Sequence, residues 1–142
     1  MFIGEYNHKI DAKGRVIVPT RFHEDLGESF VITKGLDGCL YIYPTEEWNT
    51  FLEKLHALPS GRDTRKLVRS FAASADICEV DAQGRILIKT GLREYAGLTK
   101  DVVFAGTLNH IEVWDKAQWE QENSMDDMDD IAEKLADLGL SV

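Results

Sequence analysis

The stretch KIDAKGRVIVP, residues 9–19, is written again seventy residues later as EVDAQGRILIK, residues 79–89. Asp11, Ala12, Gly14 and Arg15 recur as Asp81, Ala82, Gly84 and Arg85. The apolar triplet Val16-Ile17-Val18 recurs as Ile86-Leu87-Ile88. An internal repeat decides the architecture before any finer pattern does, and this one continues outward. Thr20 or Thr90 precedes a short helical stretch, RFHEDLG or GLREYAGL. A β-rich segment follows, FVITKGLDGCLYIYP or VVFAGTLNHIEVWD, and then a helix start bearing Trp48 or Trp119. The spacing predicts one repeat over residues 5–52 and a second over 75–122.

Between them, residues 53–74 are broken by Pro59-Ser60-Gly61, with helical patterning on both sides. Leu52, Leu55 and Leu58 form one apolar stripe, and Leu67, Val68 and Phe71 another. Thr45 after Pro44, and Asp115 with Gln118, read as helix starts. Residues 123–142 are left as an acidic helix or tail, with Ile131, Leu135 and Leu138 along one side.

Aspartate at the first position of a β-turn and glycine at the fourth is the type I preference. With the glycine left-handed, the turn becomes a three-residue hairpin loop with a bulge. Asp11, Gly14, Asp81 and Gly84 are therefore turn-forming residues. The arginines are not required by the turn. Arg15 and Arg85 either pair with the neighbouring aspartate or present a cation to phosphates and guanine edges. The triplets after them lack polar alternation, which predicts strands covered on both faces. A repeat of 48 residues can scarcely enclose such a strand alone. Two repeats interlocking their hairpins would do so, as a dimeric fold written into one chain.

The composition, 44% apolar and 29% charged, is that of a soluble globular protein. No apolar run approaches the ~20 residues of a membrane span, and the N-terminus lacks the features of a signal peptide. Cys39 and Cys78 have no metal-ligand or redox spacing and read as buried reduced thiols, which fits a cytoplasmic location. The net charge of −9 argues against a nucleic-acid partner until its distribution is read. Residues 1–48 carry −3, 49–73 carry +3, 74–119 carry −2 and 120–142 carry −7. The acidity is concentrated at one end.

The opening MFIGEYNHKIDAKGRVIVP, the second DAQGRILI, the EEW helix and IEVWDKAQWE closely resemble the MraZ family, over nearly the whole chain to about residue 122. The resemblance implies an α+β fold of two SpoVT-AbrB units interlocked as a swapped-hairpin barrel, with connecting helices. It implies a bacterial transcriptional regulator without a cofactor, acting on the promoter of the division and cell-wall gene cluster that contains its own gene. The partners it implies are double-stranded DNA with short repeated elements and further copies of the chain, in a ring-like homo-oligomer. A nucleoid-associated location follows. Arg15, Lys13, Lys9 and Arg85 are the candidate DNA-binding residues, with His8 beside Lys9 placed to approach phosphate.

Other constellations carry less. His8, His23, His56 and His110 are scattered, without metal-ligand spacing, and no nucleotide-binding or nucleophile motif appears. Arg62, Arg65, Lys66 and Arg69 form a basic stripe that reads as a solvated face or a contact with an acidic neighbouring protomer. Trp48 and Trp119 read as packing residues, and the Asp-rich run 126–130 lacks the Gly and Glu of a calcium loop. An antitoxin of the same hairpin fold with an acidic tail is one alternative, although such antitoxins carry one hairpin motif per chain. A metal-dependent enzyme using Asp11 and Asp81 is another, weakened by the turn role of both. No metal site and no enzymatic activity are expected.

The two windows differ in charge. In NHKIDAKGR, Lys9, Lys13 and Arg15 oppose Asp11 for a net +2. In ICEVDAQGR, Arg85 opposes Glu79 and Asp81 for a net −1. Because phosphate neutralisation dominates DNA affinity, the first hairpin is expected to be the main reader.

Overall fold

A computed structural model describes residues 1–142. The first repeat supplies β1 (Glu5–Lys9), β2 (Arg15–Ile17), α1 (Thr20–Leu26), β3 (Ser29–Lys34), β4 (Leu40–Pro44) and α2 (Thr45–His56). After α3 (Arg62–Ser74), the second supplies β5 (Asp76–Glu79), β6 (Arg85–Leu87), α4 (Thr90–Ala96), β7 (Asp101–Gly106), β8 (Ile111–Asp115) and α5 (Lys116–Glu122). Last comes α6 (Met128–Ala136).

The strands do not pair within their own repeats alone. A six-stranded sheet runs β1-β7-β8-β4-β3-β5, and β2 pairs with β6 in a separate two-stranded ribbon. Exchanging the repeats turns this order into its own reverse, so the chain has an internal two-fold. Val16 lies opposite Ile86 in the ribbon and Tyr41 opposite Glu112 in the sheet, so residue and equivalent meet at the axis. β1 of the first repeat borders β7 of the second, and β5 of the second borders β3 of the first. The hairpins are swapped, as the duplication predicts. What differs is the hairpin itself: β1 and β2 diverge after the turn, so only Asp11 and Arg15 close it.

One core serves both repeats. Phe22 and Leu26 of α1, Leu92 and Ala96 of α4, Phe30, Ile32 and Phe104 of the sheet, and Val16, Val18, Ile86 and Ile88 of the ribbon belong to a single buried cluster. Burying one such large side chain is worth about 1.5–3 kcal/mol, and neither repeat could retain that burial alone.

The triplets depart from expectation. Val16 and Val18 are 1% and 0% exposed, but Ile17 between them is 44% exposed. Ile86 and Ile88 are likewise buried, while Leu87 is 55% exposed. The ribbon is one-faced, because its outer side has no element over it. The strands covered on both faces are β3 and β7, where Phe30–Thr33 and Val102–Ala105 are buried without alternation. Their outer faces lie under helices: α3 is clipped to β3 by the Thr33 hydroxyl, which donates to the Phe71 carbonyl at 2.7 Å, and α5 lies on β7 and β8.

Helix starts follow the sequence unevenly. Asp115 caps α5, accepting from the Gln118 N–H at 3.1 Å, whereas Thr45 is the first helical residue and donates instead to the Ser29 carbonyl at 3.1 Å. Trp119 packs against Trp114 and donates its indole N–H to Glu5 of β1 at 3.1 Å. Its equivalent Trp48 packs against Tyr43 and Phe51. Cys39 and Cys78 are buried free thiols whose pKa values are pushed up by desolvation. No helix is long and apolar enough to cross a membrane.

Candidate nucleic-acid interface

Each D-A-x-G-R segment folds around its aspartate. In the first, the Gly14 N–H donates to the Asp11 carbonyl at 3.0 Å and the Asp11 N–H to the Arg15 carbonyl at 2.9 Å. Asp11 Oδ1 accepts from the N–H groups of Lys13 and Arg15, at 3.0 and 2.9 Å, and Oδ2 from Arg15 Nε at 3.1 Å. The second turn repeats every bond: Asp81 Oδ1 accepts from Gln83 and Arg85, both at 2.9 Å, and Oδ2 from Arg85 Nε at 3.0 Å. The Arg15 and Arg85 backbone bonds, as the largest cause, hold the two carboxyls below the usual aspartate range. Both aspartates are thus turn residues, and both arginines pair with them. An exposed pair of this kind is screened by solvent, so it orients the arginine without locking it.

Gly14 and Gly84 have φ +90° and +80°, in the left-handed region that the bulged turn requires. Their carbonyls accept from the other repeat: Gly14 from the Ile88 N–H at 2.8 Å, and Gly84 from the Val18 N–H at 2.9 Å. The sequence does not single out the side chains that brace these junctions. Arg93 Nε donates to the Ile88 carbonyl at 2.9 Å, and His23 Nε2 lies 2.9 Å from the Val18 carbonyl. They occupy equivalent positions in α4 and α1, so the seventy-residue offset would have found them as a pair.

The ribbon brings the arginines together. In its register Arg15 lies opposite Leu87 and Ile17 opposite Arg85, with Val16 opposite Ile86. Successive side chains alternate between faces. Val16 and Ile86 point to the core, so Arg15, Ile17, Arg85 and Leu87 share the outer face. Arg15 and Arg85 are diagonal neighbours there, about 7–8 Å apart. The sequence suggests two separate tips; the fold makes one surface with a turn at each end.

The other candidates divide. Lys13 is exposed in its turn, and Lys9 is exposed on β1 opposite Asp101 of β7. His8 alternates to the inward side, edge-on to Phe104 with ring centroids 6.0 Å apart, and desolvation lowers its pKa. It is therefore neutral at pH 7 and is not gathered with Lys9, Lys13 and Arg15. The stripe Arg62, Arg65, Lys66 and Arg69 is on α3, outside the ribbon.

The two ends are not alike. Gln83 replaces Lys13, and its side-chain oxygen accepts from Arg85 Nη2. Both Nη groups of Arg15 are without a protein partner. The Arg15 side chain is also the more exposed, 36% against 27% for Arg85. Lys89 near the second end is ion-paired with Asp76 at 3.0 Å.

Comparison with known proteins agrees with the duplication. The family model described as "MraZ protein, putative antitoxin-like" matches twice, over residues 1–70 and 71–138. A "Transcriptional regulator MraZ" of Lachnoclostridium phytofermentans is 58% identical over 141 residues, 99% of each chain. Proteins of the same name from Acetivibrio thermocellus and Clostridium tetani are 54% and 50% identical, each over 99% of this chain and 100% of the relative.

Proposed function

The chain belongs to the MraZ family, and from that premise we propose that it is a sequence-specific, DNA-binding transcriptional regulator whose β2–β6 ribbon enters the major groove. The observation that carries this reading is the diagonal placement of Arg15 and Arg85 on the outer face of a two-stranded antiparallel ribbon. The major groove admits such a ribbon, and arginine reads guanine O6 and N7 bidentately. Lys13, and Lys9 at the end of β1, are exposed cations that would meet the phosphates beside it. Ile17 and Leu87, exposed between the arginines, suit thymine methyl groups. Asp11 and Asp81 pre-orient the guanidinium groups, and the exposed ion pair is weak enough to be exchanged for DNA.

The reading extends to short repeated elements in the promoter of the division and cell-wall gene cluster, read by a ring-like homo-oligomer at the nucleoid. One protomer offers few phosphate contacts, so several protomers on a repeated element multiply weak contacts into useful affinity. Footprinting on the DNA upstream of its own gene tests the proposal. Protection should fall on regularly spaced short repeats and weaken steeply with salt. Uniform protection of unrelated DNA would refute sequence-specific binding.

A further inference from the structure

Two features of the chain have no role in the ribbon. One is α6, which contributes nothing to the core and has no residue buried. Met128, Ile131 and Leu135 are 38, 37 and 40% exposed along one side of it, and Asp129, Asp130, Glu133 and Asp137 occupy the other side. An amphipathic helix whose apolar side is left this open to solvent is an unmatched half of a contact.

The other feature is the groove between α2 and α3, a cavity of about 500 Å³. Leu55, Leu58 and Val68 line it with apolar surface, and Arg65 and Arg69 form a basic wall. None of the α3 cations, Arg62, Arg65, Lys66 or Arg69, has an ion-pair partner in the chain. Neither has any carboxylate of α6. Residues 49–73 carry +3 and residues 120–142 carry −7. The two unmatched surfaces are complementary in hydropathy and in sign.

We propose that α6 of one copy docks into the α2–α3 groove of a second copy, apolar edge inward, drawn there by the opposite net charges of the two segments. Recognition is of the helix-in-groove kind, with anchors spaced three and four residues apart. The fold favours contact between copies over contact within one. α6 follows α5, which lies on β7 and β8, whereas α2 and α3 lie on β3 and β4. The groove also occurs once per chain, because α6, which follows α5 as α3 follows α2, buries no residue and forms no matching helix pair. One groove and one helix per copy make a head-to-tail contact, and such contacts either close into a ring or grow.

A complementation experiment on the full chain tests this by light scattering. The unaltered protein should scatter as a species several times 16.0 kDa. Arg65→Glu with Arg69→Glu removes the groove, and Ile131→Asp with Leu135→Asp removes the helix face. All four side chains are exposed, so circular dichroism should show both variants folded. Each alone should fall to the protomer mass. Mixed, they should form a species of twice that mass and no larger, because one intact helix meets one intact groove. If the groove variant misfolds, an excess of a peptide of residues 124–142 should dissolve the unaltered assembly instead. Variants that assemble like the parent, a mixture that stays at the protomer mass, or a peptide without effect would each overturn the proposal. Arg15→Ala should assemble normally, which separates this contact from DNA reading.

Discussion

The turns Asp11–Arg15 and Asp81–Arg85 share the same bonds, the same positive-φ glycine and the same arginine–aspartate pair. They differ in what surrounds that frame. The first turn has Lys13 where the second has Gln83, which occupies an Arg85 Nη2 group. Nearby, Lys9 corresponds to Glu79 and His8 to Cys78. Duplication has preserved the backbone chemistry that lets two units interlock, while the charges on it have diverged. The frame is needed twice, because each glycine carbonyl holds the other repeat's strand.

The largest expected effect concerns the frame. An alanine Cβ at Gly14 would lie 2.6 Å from the Ile88 carbonyl oxygen and 2.7 Å from Arg93 Nε. At Gly84 the nearest atom is a His23 ring carbon at 3.6 Å. Both substitutions meet the left-handed penalty of about 1–2 kcal/mol, and the first adds an overpacking cost of about 1–3 kcal/mol. Chemical denaturation should show Gly14→Ala as the more destabilised; equal losses would mean that the Gly14 junction yields at no cost.

A smaller effect belongs to Lys13. Its replacement by Ala should reduce the salt slope of DNA binding by about 0.9, the share of one phosphate, with little change in sequence preference. Gln83→Ala should leave the slope unchanged. If both or neither altered it, the charge asymmetry between the ends would have no part in binding.

The smallest effect is a pH dependence. Burial lowers the His8 pKa in the folded state. Below its usual value near 6.5 the unfolded chain then binds more protons, so stability is lost as pH falls through that window and is level above it. His8→Gln should flatten this slope in urea titrations at pH 5.5 and 7.5. A parent protein more stable at the lower pH would show that His8 gains a partner on protonation.

The turns were legible because their chemistry is local: Asp and Gly three residues apart state the conformation directly. The interlocking was legible as a consequence of repetition. The outer face of the ribbon was not. Val16-Ile17-Val18 is apolar throughout, and nothing within three residues says that Ile17 alone is uncovered. That depends on where α2, α3 and α5 settle, which is over β3 and β7. The convergence of Arg15 and Arg85 depends in turn on β2 pairing with β6, a contact between residues seventy apart. The side on which His8 lies was not legible for a related reason, since it is set by the pairing of β1 with β7.

We propose that the first-repeat end of the ribbon contributes more to DNA reading than the second. Its most direct test is titration of Arg15→Ala and Arg85→Ala on one operator fragment at two salt concentrations, after checking that each still assembles. Arg15→Ala should lose more affinity, by about 1–3 kcal/mol per protomer if its contact is a guanine edge. Equal losses, or a larger one for Arg85→Ala, would contradict the account.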